Sequence, residues 1–185
     1  MKLIVAGATG FVATEVIRQS LRNKSITSVI ALARRPVAAP SNLGPGADVS
    51  KLHSVTINDY DSYPDDAMKE FADADACIWT VAITPTKSKK LPFDEVRRVC
   101  LHNTLAGFKA MTQARRDAAA KGSFRFMYMS GAATERDQSK KPGWMPEYSL
   151  MRVSCFRRKV SIAHRHEGLT SWVGQYGKSI ACFSG

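Results

Sequence analysis

A chain of 185 residues, 44% of them hydrophobic, is long enough for one well-buried core and short for a second. Its formal net charge is +11, with close to half of the excess in the last 34 residues; the densest basic run, Arg157-Arg158-Lys159, lacks interleaved aromatics and is expected to be solvated surface, not a nucleic-acid interface. No apolar run approaches the roughly 18 residues of a membrane span, the opening Met1–Ala6 run is broken by Gly7 and Gly10 and calls for no signal peptide, and Cys77, Cys100, Cys155 and Cys182 form no C-x-x-C pair, so the expectation is a soluble cytoplasmic protein with reduced thiols.

Along the chain, strand-like and helix-like periods alternate. Leu3–Ala6 is a short apolar run ending in glycine, as a buried parallel strand requires, and Ala13, Val16, Ile17, Ser20 and Leu21 then fall on one helical face. Ser28–Ala33 is a second strand, and residues 36–50, with Pro36, Pro40, Pro45, Gly44 and Gly46, are a loop. A third strand is expected at Leu52–Ile57, a helix over Asp65–Ala72 and a fourth strand at Ala76–Val81. After Pro92 a long helix is predicted, with Asp94 and Glu95 in its first turn and a buried face of Val96, Val99, Cys100, Asn103, Gly107, Ala110, Met111 and Ala114. Phe124–Met129 is the fifth strand, and a further helix starts near Pro146. The alternation predicts an α/β fold, a doubly wound parallel sheet with helices on both faces, whose ligands bind beyond the carboxyl ends of the strands.

Those strand ends carry the chemistry. The first strand runs straight into Gly7-Ala8-Thr9-Gly10-Phe11-Val12-Ala13 and an amphipathic helix. Gly7 permits a tight turn, Gly10 lets backbone amides approach a pyrophosphate, and the small Ala13 allows close packing of helix on sheet. At the second strand end stand Arg34 and Arg35, where NAD-specific folds place a carboxylate; an arginine there pairs with the 2′-phosphate of NADP(H), and Arg34 is the nearer to the strand. Asp59, in Asn58-Asp59-Tyr60-Asp61, is positioned either to accept from an adenine amino group or to form a turn.

With these segments, with Trp79-Thr80-Val81-Ala82 after the fourth strand and with Met129-Ser130-Gly131 after the fifth, residues 1–152 resemble the atypical short-chain dehydrogenases/reductases, notably the NmrA-like and Tat-interacting-protein-like NAD(P)-binding branches. The resemblance implies a Rossmann domain whose cofactor contacts are Gly7, Thr9, Gly10, Phe11, Val12, Arg34, Arg35, Asp59, Val81 and Ala82. It further implies a substrate-binding serine at Ser130, a proton-transferring tyrosine at Tyr148 and a supporting asparagine at Asn103. The family's usual lysine four residues after the tyrosine is here Arg152, which supplies the charge but cannot give up a proton. Two functions are open: an oxidoreductase that reduces a carbonyl or enone of a small-molecule substrate with NADPH, or a non-catalytic redox sensor or protein-interaction module using the same pocket.

Other motifs are incomplete. Gly177-Lys178-Ser179 lacks the upstream glycine of a phosphate loop, His164-x-His166 lacks a third metal ligand, and Tyr128 replaces the first glycine of a hydrolase elbow around Ser130. Residues 153–185 are expected to be an atypical basic tail, with Leu169–Val173 as a candidate sixth strand. That tail raises the expectation of a chain shortened or altered at its C-terminus, including read-through at Val153-Ser154 into unspliced sequence.

Overall fold

A computed structural model describes residues 1–130, 137–140, 142–152, 171–172 and 180–184. Arg157-Arg158-Lys159, His164, His166, Gly177-Lys178-Ser179, Val153-Ser154 and Gly131 lie outside the described residues.

Five strands, β1 (Lys2–Ala6), β2 (Ser28–Ala33), β3 (Leu52–Thr56), β4 (Ala76–Trp79) and β5 (Arg125–Met129), run parallel in the order β3-β2-β1-β4-β5. Parallel pairing demands that both faces be covered, and the alternation along β1 shows how this is met. Ile4 and Ala6 join one core cluster, Leu3 and Val5 the other. Helix α1 (Phe11–Arg22) covers the second face with Ala13, Ile17 and Leu21, all fully buried.

The first face receives α2 (Asp65–Phe71) and a long helical run after Pro92. Short α3 (Pro85–Ser88) precedes that run, which is not one uniform helix: α4 (Phe93–Arg97) passes through a π-helical turn at Arg98–His102 into α5 (Asn103–Asp117). Val96, Cys100, Asn103, Gly107, Met111 and Ala114 are buried as the periodicity predicts, whereas Val99 and Ala110 are only half-buried. Trp79 is the centre of this core, with Phe126 at 5.7 Å and Tyr60 at 5.5 Å between ring centroids. Gly107 passes so close to the indole that a Cβ there would overlap it and would lie 2.9 Å from the Tyr63 hydroxyl. Residues 146–152 are helical, in the last helix among the described residues, α6, whose Tyr148 and Met151 enter the same core.

Two differences from the sequence expectation concern strand ends and the tail. The fourth strand stops at Trp79, two residues early, because Val81 and Ala82 leave the ladder to line a cleft. Beyond β5 the next strand in the sheet is β7 (Ile180–Ser184), antiparallel to β5, with β6 (Ser171–Trp172) at the edge beyond it. The strand expected within Leu169–Val173 is β6, displaced one place outward by β7, which sequence reading missed. Only seven residues separate Trp172 from Ile180. A parallel crossover needs a dozen or more, so the short connection dictates the antiparallel pairing.

Replacing Gly107 by alanine tests the closest contact in the core. Overpacking against Trp79 should cost about 1–3 kcal/mol, more than the gain of about 1 kcal/mol in helix propensity. The expected outcome is a lower urea midpoint for Gly107→Ala, and a midpoint equal to or above the wild type would show that the indole yields without cost.

Candidate functional site

A cleft of about 790 Å³ lies across the carboxyl ends of the parallel strands, and its described lining runs from Gly7 to Asn103. Its floor is the turn from β1 into α1. Gly7 has φ +82°, in the left-handed region that glycine enters without steric cost, and a Cβ there would meet Thr80 Oγ1 at 2.7 Å. Gly10 closes the turn through its amide, which donates to the Gly7 carbonyl at 2.8 Å, and caps α1 in extended conformation. The helix start has no side-chain cap and no acidic residue in its first turn. Thr14 is the first residue whose amide bonds back, to Gly10 O at 2.9 Å, so the amides ahead of it have no acceptor within the helix and favour an anion.

Tyr60 supports the turn from below. Its hydroxyl donates to Leu32 O at 3.1 Å and accepts from the Gly7 amide at 3.2 Å, which links the ends of β1, β2 and β3 through one side chain. Burial pushes the phenol up to about 12, despite the Gly7 amide and the charge of Arg34. Thr80 performs the matching task from β4, its hydroxyl donating to Ala6 O at 2.8 Å.

One bank of the cleft is charged. Arg34 and Arg35 are exposed at the end of β2 and line the cleft, as does Asp59 beyond β3. Asp59 Oδ1 accepts from the Tyr60 amide at 2.7 Å and from Asn103 Nδ2 at 3.3 Å, while Oδ2 accepts from Arg98 Nη1 at 2.7 Å. Burial alone would raise this carboxyl, but the Arg98 and Tyr60 hydrogen bonds and the charges of Arg98 and Arg34 hold it below the ordinary value. Arg98 also grips Glu95 in a bidentate pair, and those bonds lower the Glu95 carboxyl.

The sequence-predicted cofactor residues Gly7, Thr9, Gly10, Arg34, Arg35, Asp59, Val81 and Ala82 therefore share one cleft. Phe11 and Val12 stand in the first turn of α1 with exposed side chains, 94% and 45%, outside the described lining. Asn103 lines the cleft, 1% exposed, and the hydrogen bond it makes is to Asp59, on the β3 side; its Oδ1 is buried with no partner, and Nδ2 must face the carboxylate, so an acceptor remains for a ligand.

The residues expected to do chemistry are arranged differently. Ser130 follows the last residue of β5, half-buried, and neither it nor Tyr148 belongs to the described lining. Tyr148 is 6% exposed and donates to Ile83 O at 2.8 Å; Ile83 is part of the lining, so the phenol abuts the cleft through that carbonyl. Burial raises the Tyr148 hydroxyl above its ordinary value, and the charge of Arg152 opposes this without cancelling it. Arg152 is 3% exposed, donates to Met129 O at 2.6 Å and stacks over the Tyr128 ring at 4.9 Å. Sequence reasoning missed Tyr60, Thr80, Glu95 and Arg98, as well as Lys87, which lines the cleft from α3.

No family model matches the chain, and no curated protein matches it in sequence. Solved structures do match its fold. MoeE5 in complex with UDP-glucuronic acid and NAD superposes with a TM-score of 0.63 at 19% identity, over 90% of this chain and 50% of that one. UDP-glucose 4-epimerase from Bifidobacterium longum, in complex with NAD+ and UDP, gives 0.61 at 16% identity over 90% and 50%. UDP-N-acetylglucosamine 4-epimerase from Methanobrevibacter ruminantium gives 0.59 at 15% identity over 89% and 51%. The chain spans about half the length of these structures. The fold is the Rossmann-type α/β fold that these structures share, as the alternation of strands and helices in the sequence implies.

The Tyr60 linkage has a pH signature. With an unfolded value of about 10, the folded state keeps a proton that the unfolded state loses, so its contribution is complete below pH 10 and disappears as pH rises to about 12. The slope is about 1.4 kcal/mol per pH unit. Urea denaturation of wild type and Tyr60→Phe between pH 9 and 12 should show the wild type losing stability relative to the variant across that window. A constant difference would separate Tyr60 from the alkaline transition.

Proposed function

We propose that the protein is an NADP(H)-binding oxidoreductase of the short-chain dehydrogenase/reductase type, with its nucleotide site within residues 1–152 and residues 153–185 as a basic tail. The observation that carries this reading is the coincidence, in one cleft, of the Gly7–Gly10 turn, the uncapped start of α1 and the Arg34-Arg35 pair. The residues fit such a group: Gly7, left-handed and packed against Thr80, keeps the turn into α1 tight, the helix start favours a pyrophosphate, and the unpartnered Asn103 Oδ1 accepts a hydrogen bond. Arg34 and Arg35 would hold the 2′-phosphate, and Asp59 with Asn103 would receive the adenine end. When bound, the nicotinamide supplies a hydride to a carbonyl or enone. Tyr148 supplies the proton, and Arg152 moderates the burial that otherwise holds the phenol neutral.

One observation favours a second reading, a nucleotide sensor or partner-binding module without turnover. The Tyr148 hydroxyl is committed to Ile83 O, and it must leave that carbonyl before it can serve a substrate.

NADPH should bind more tightly than NADH by roughly tenfold to a hundredfold, the worth of a charge-assisted pair at about 1.5–3 kcal/mol. Fluorescence titration of both nucleotides against the wild type and an Arg34→Ala/Arg35→Ala variant checks this: the variant should lose the preference, and equal affinities in the wild type would remove the NADP(H) assignment.

The two readings separate on turnover. In a screen of carbonyl substrates that includes UDP-sugars, the oxidoreductase reading expects steady NADPH consumption that falls about 10²–10⁴-fold in Tyr148→Phe, with NADPH affinity nearly unchanged. NADPH binding without consumption supports the sensor, and turnover that survives the phenylalanine assigns Tyr148 a structural role.

A further inference from the structure

Two carboxylates on the bank that would receive a 2′-phosphate stand against simple electrostatics. Asp59 and Glu95 line the same cleft as Arg34 and Arg35, and left to themselves they would repel a phosphate and draw the arginines away from it. Both carboxylates feel the charge of Arg34, so the three groups are within electrostatic reach of one another.

Arg98 answers this conflict. Its Nη1 donates to Asp59 Oδ2 at 2.7 Å, its Nε to Glu95 Oε2 at 2.9 Å and its Nη2 to Glu95 Oε1 at 2.9 Å. One guanidinium thus occupies both oxygens of Glu95 and one of Asp59, while the other Asp59 oxygen takes the Tyr60 amide and Asn103. Neither Arg34 nor Arg35 is in an ion pair among the described residues, although two carboxylates share their cleft. Arg98 reaches these partners from the first position of the π-helical turn, one turn past Glu95 and 39 residues from Asp59. Its planar fork suits a two-carboxylate grip that a lysine ammonium cannot reproduce.

We infer that Arg98 is a specificity-determining positioning residue: by tying Asp59 and Glu95 into one ion-pair network, it leaves Arg34 and Arg35 available to the 2′-phosphate of the nucleotide. This rests on the NADP(H) reading above. Arg98 does not itself meet the phosphate. It sets the choice between a phosphorylated and an unphosphorylated adenosine ribose through the charges it withdraws from competition.

The test is a ratio of affinities, which general damage to the site does not move. NADPH and NADH are titrated against the full chain as wild type, Arg98→Ala, Arg98→Lys, and Arg98→Ala combined with Asp59→Asn and Glu95→Gln, with circular dichroism confirming the fold. Arg98→Ala should lower NADPH affinity on the order of tenfold more than NADH affinity, the scale of one charge-assisted hydrogen bond. Arg98→Lys should keep part of the ratio. The triple variant should regain it, because neutral amides do not compete for Arg34 and any loss of adenine contacts lowers both nucleotides alike. If Arg98→Ala does not fold, the intermediate ratio expected of Arg98→Lys decides, and an unchanged ratio there overturns the inference. A wild-type preference that Arg98→Ala retains also overturns it and leaves the NADP(H) reading standing. A wild type without preference overturns both.

Discussion

The left-handed backbone of Gly7 is the constraint on which the cleft depends. At φ +82° the chain leaves β1 and turns into α1 within four residues, and Thr80 fills the space where a side chain would otherwise be. Because that turn is tight, α1 starts directly above the sheet with its first amides facing the cleft. The turn is braced by Tyr60 from beyond β3 and by Thr80 from the end of β4, which couples it to three neighbouring strands. Ala13, fully buried two residues into the helix, lets α1 approach the sheet as a third glycine would.

Much of this was legible in the sequence because it follows from local rules. Ser28–Ala33 is a strand at the expected residues, and the glycine turn needs only its own conformational freedom. Arg34, Arg35 and Asp59 were legible because each stands within three residues of a strand's end, and parallel strands deliver their ends to one place. The features that escaped are those that depend on partners distant in sequence. Nothing in an amphipathic helix distinguishes Arg98, which bonds Asp59 across 39 residues, from an ordinary solvated arginine. Tyr60 lies between Asp59 and Asp61, yet it is its hydroxyl that reaches the Gly7 turn. The antiparallel β7 escaped because five residues of weak alternation carry no information about direction.

Tyr148 and Arg152 show a different limit. Spacing on a helix correctly put Arg152 in electrostatic contact with Tyr148, but spacing cannot say which carbonyl a hydroxyl meets. In the fold, Ile83 stands between the phenol and the cleft, and Arg152 is drawn toward Met129 O and the Tyr128 face. Arginine has the length and the flat surface for both contacts, so Arg152 anchors its helix to the end of β5 while placing its charge beside Tyr148.

The π-helical turn at Arg98–His102 carries a consequence for how this chain tolerates change. A π turn holds one more residue than an α turn over the same stretch, so every residue after it is rotated by about 100° relative to an uninterrupted helix. In this phase Glu95 before the turn, Arg98 at its first position and Asn103 just after it all attend to Asp59 or the cleft around it, while Gly107 faces Trp79. Loss of a single residue from this stretch would let the helix relax to regular geometry with its composition almost intact. Because the π turn accommodates its extra residue locally, that deletion would leave Asn103 facing the carboxylate and Gly107 facing the indole, whereas closing the turn to regular geometry without losing a residue would rotate both away.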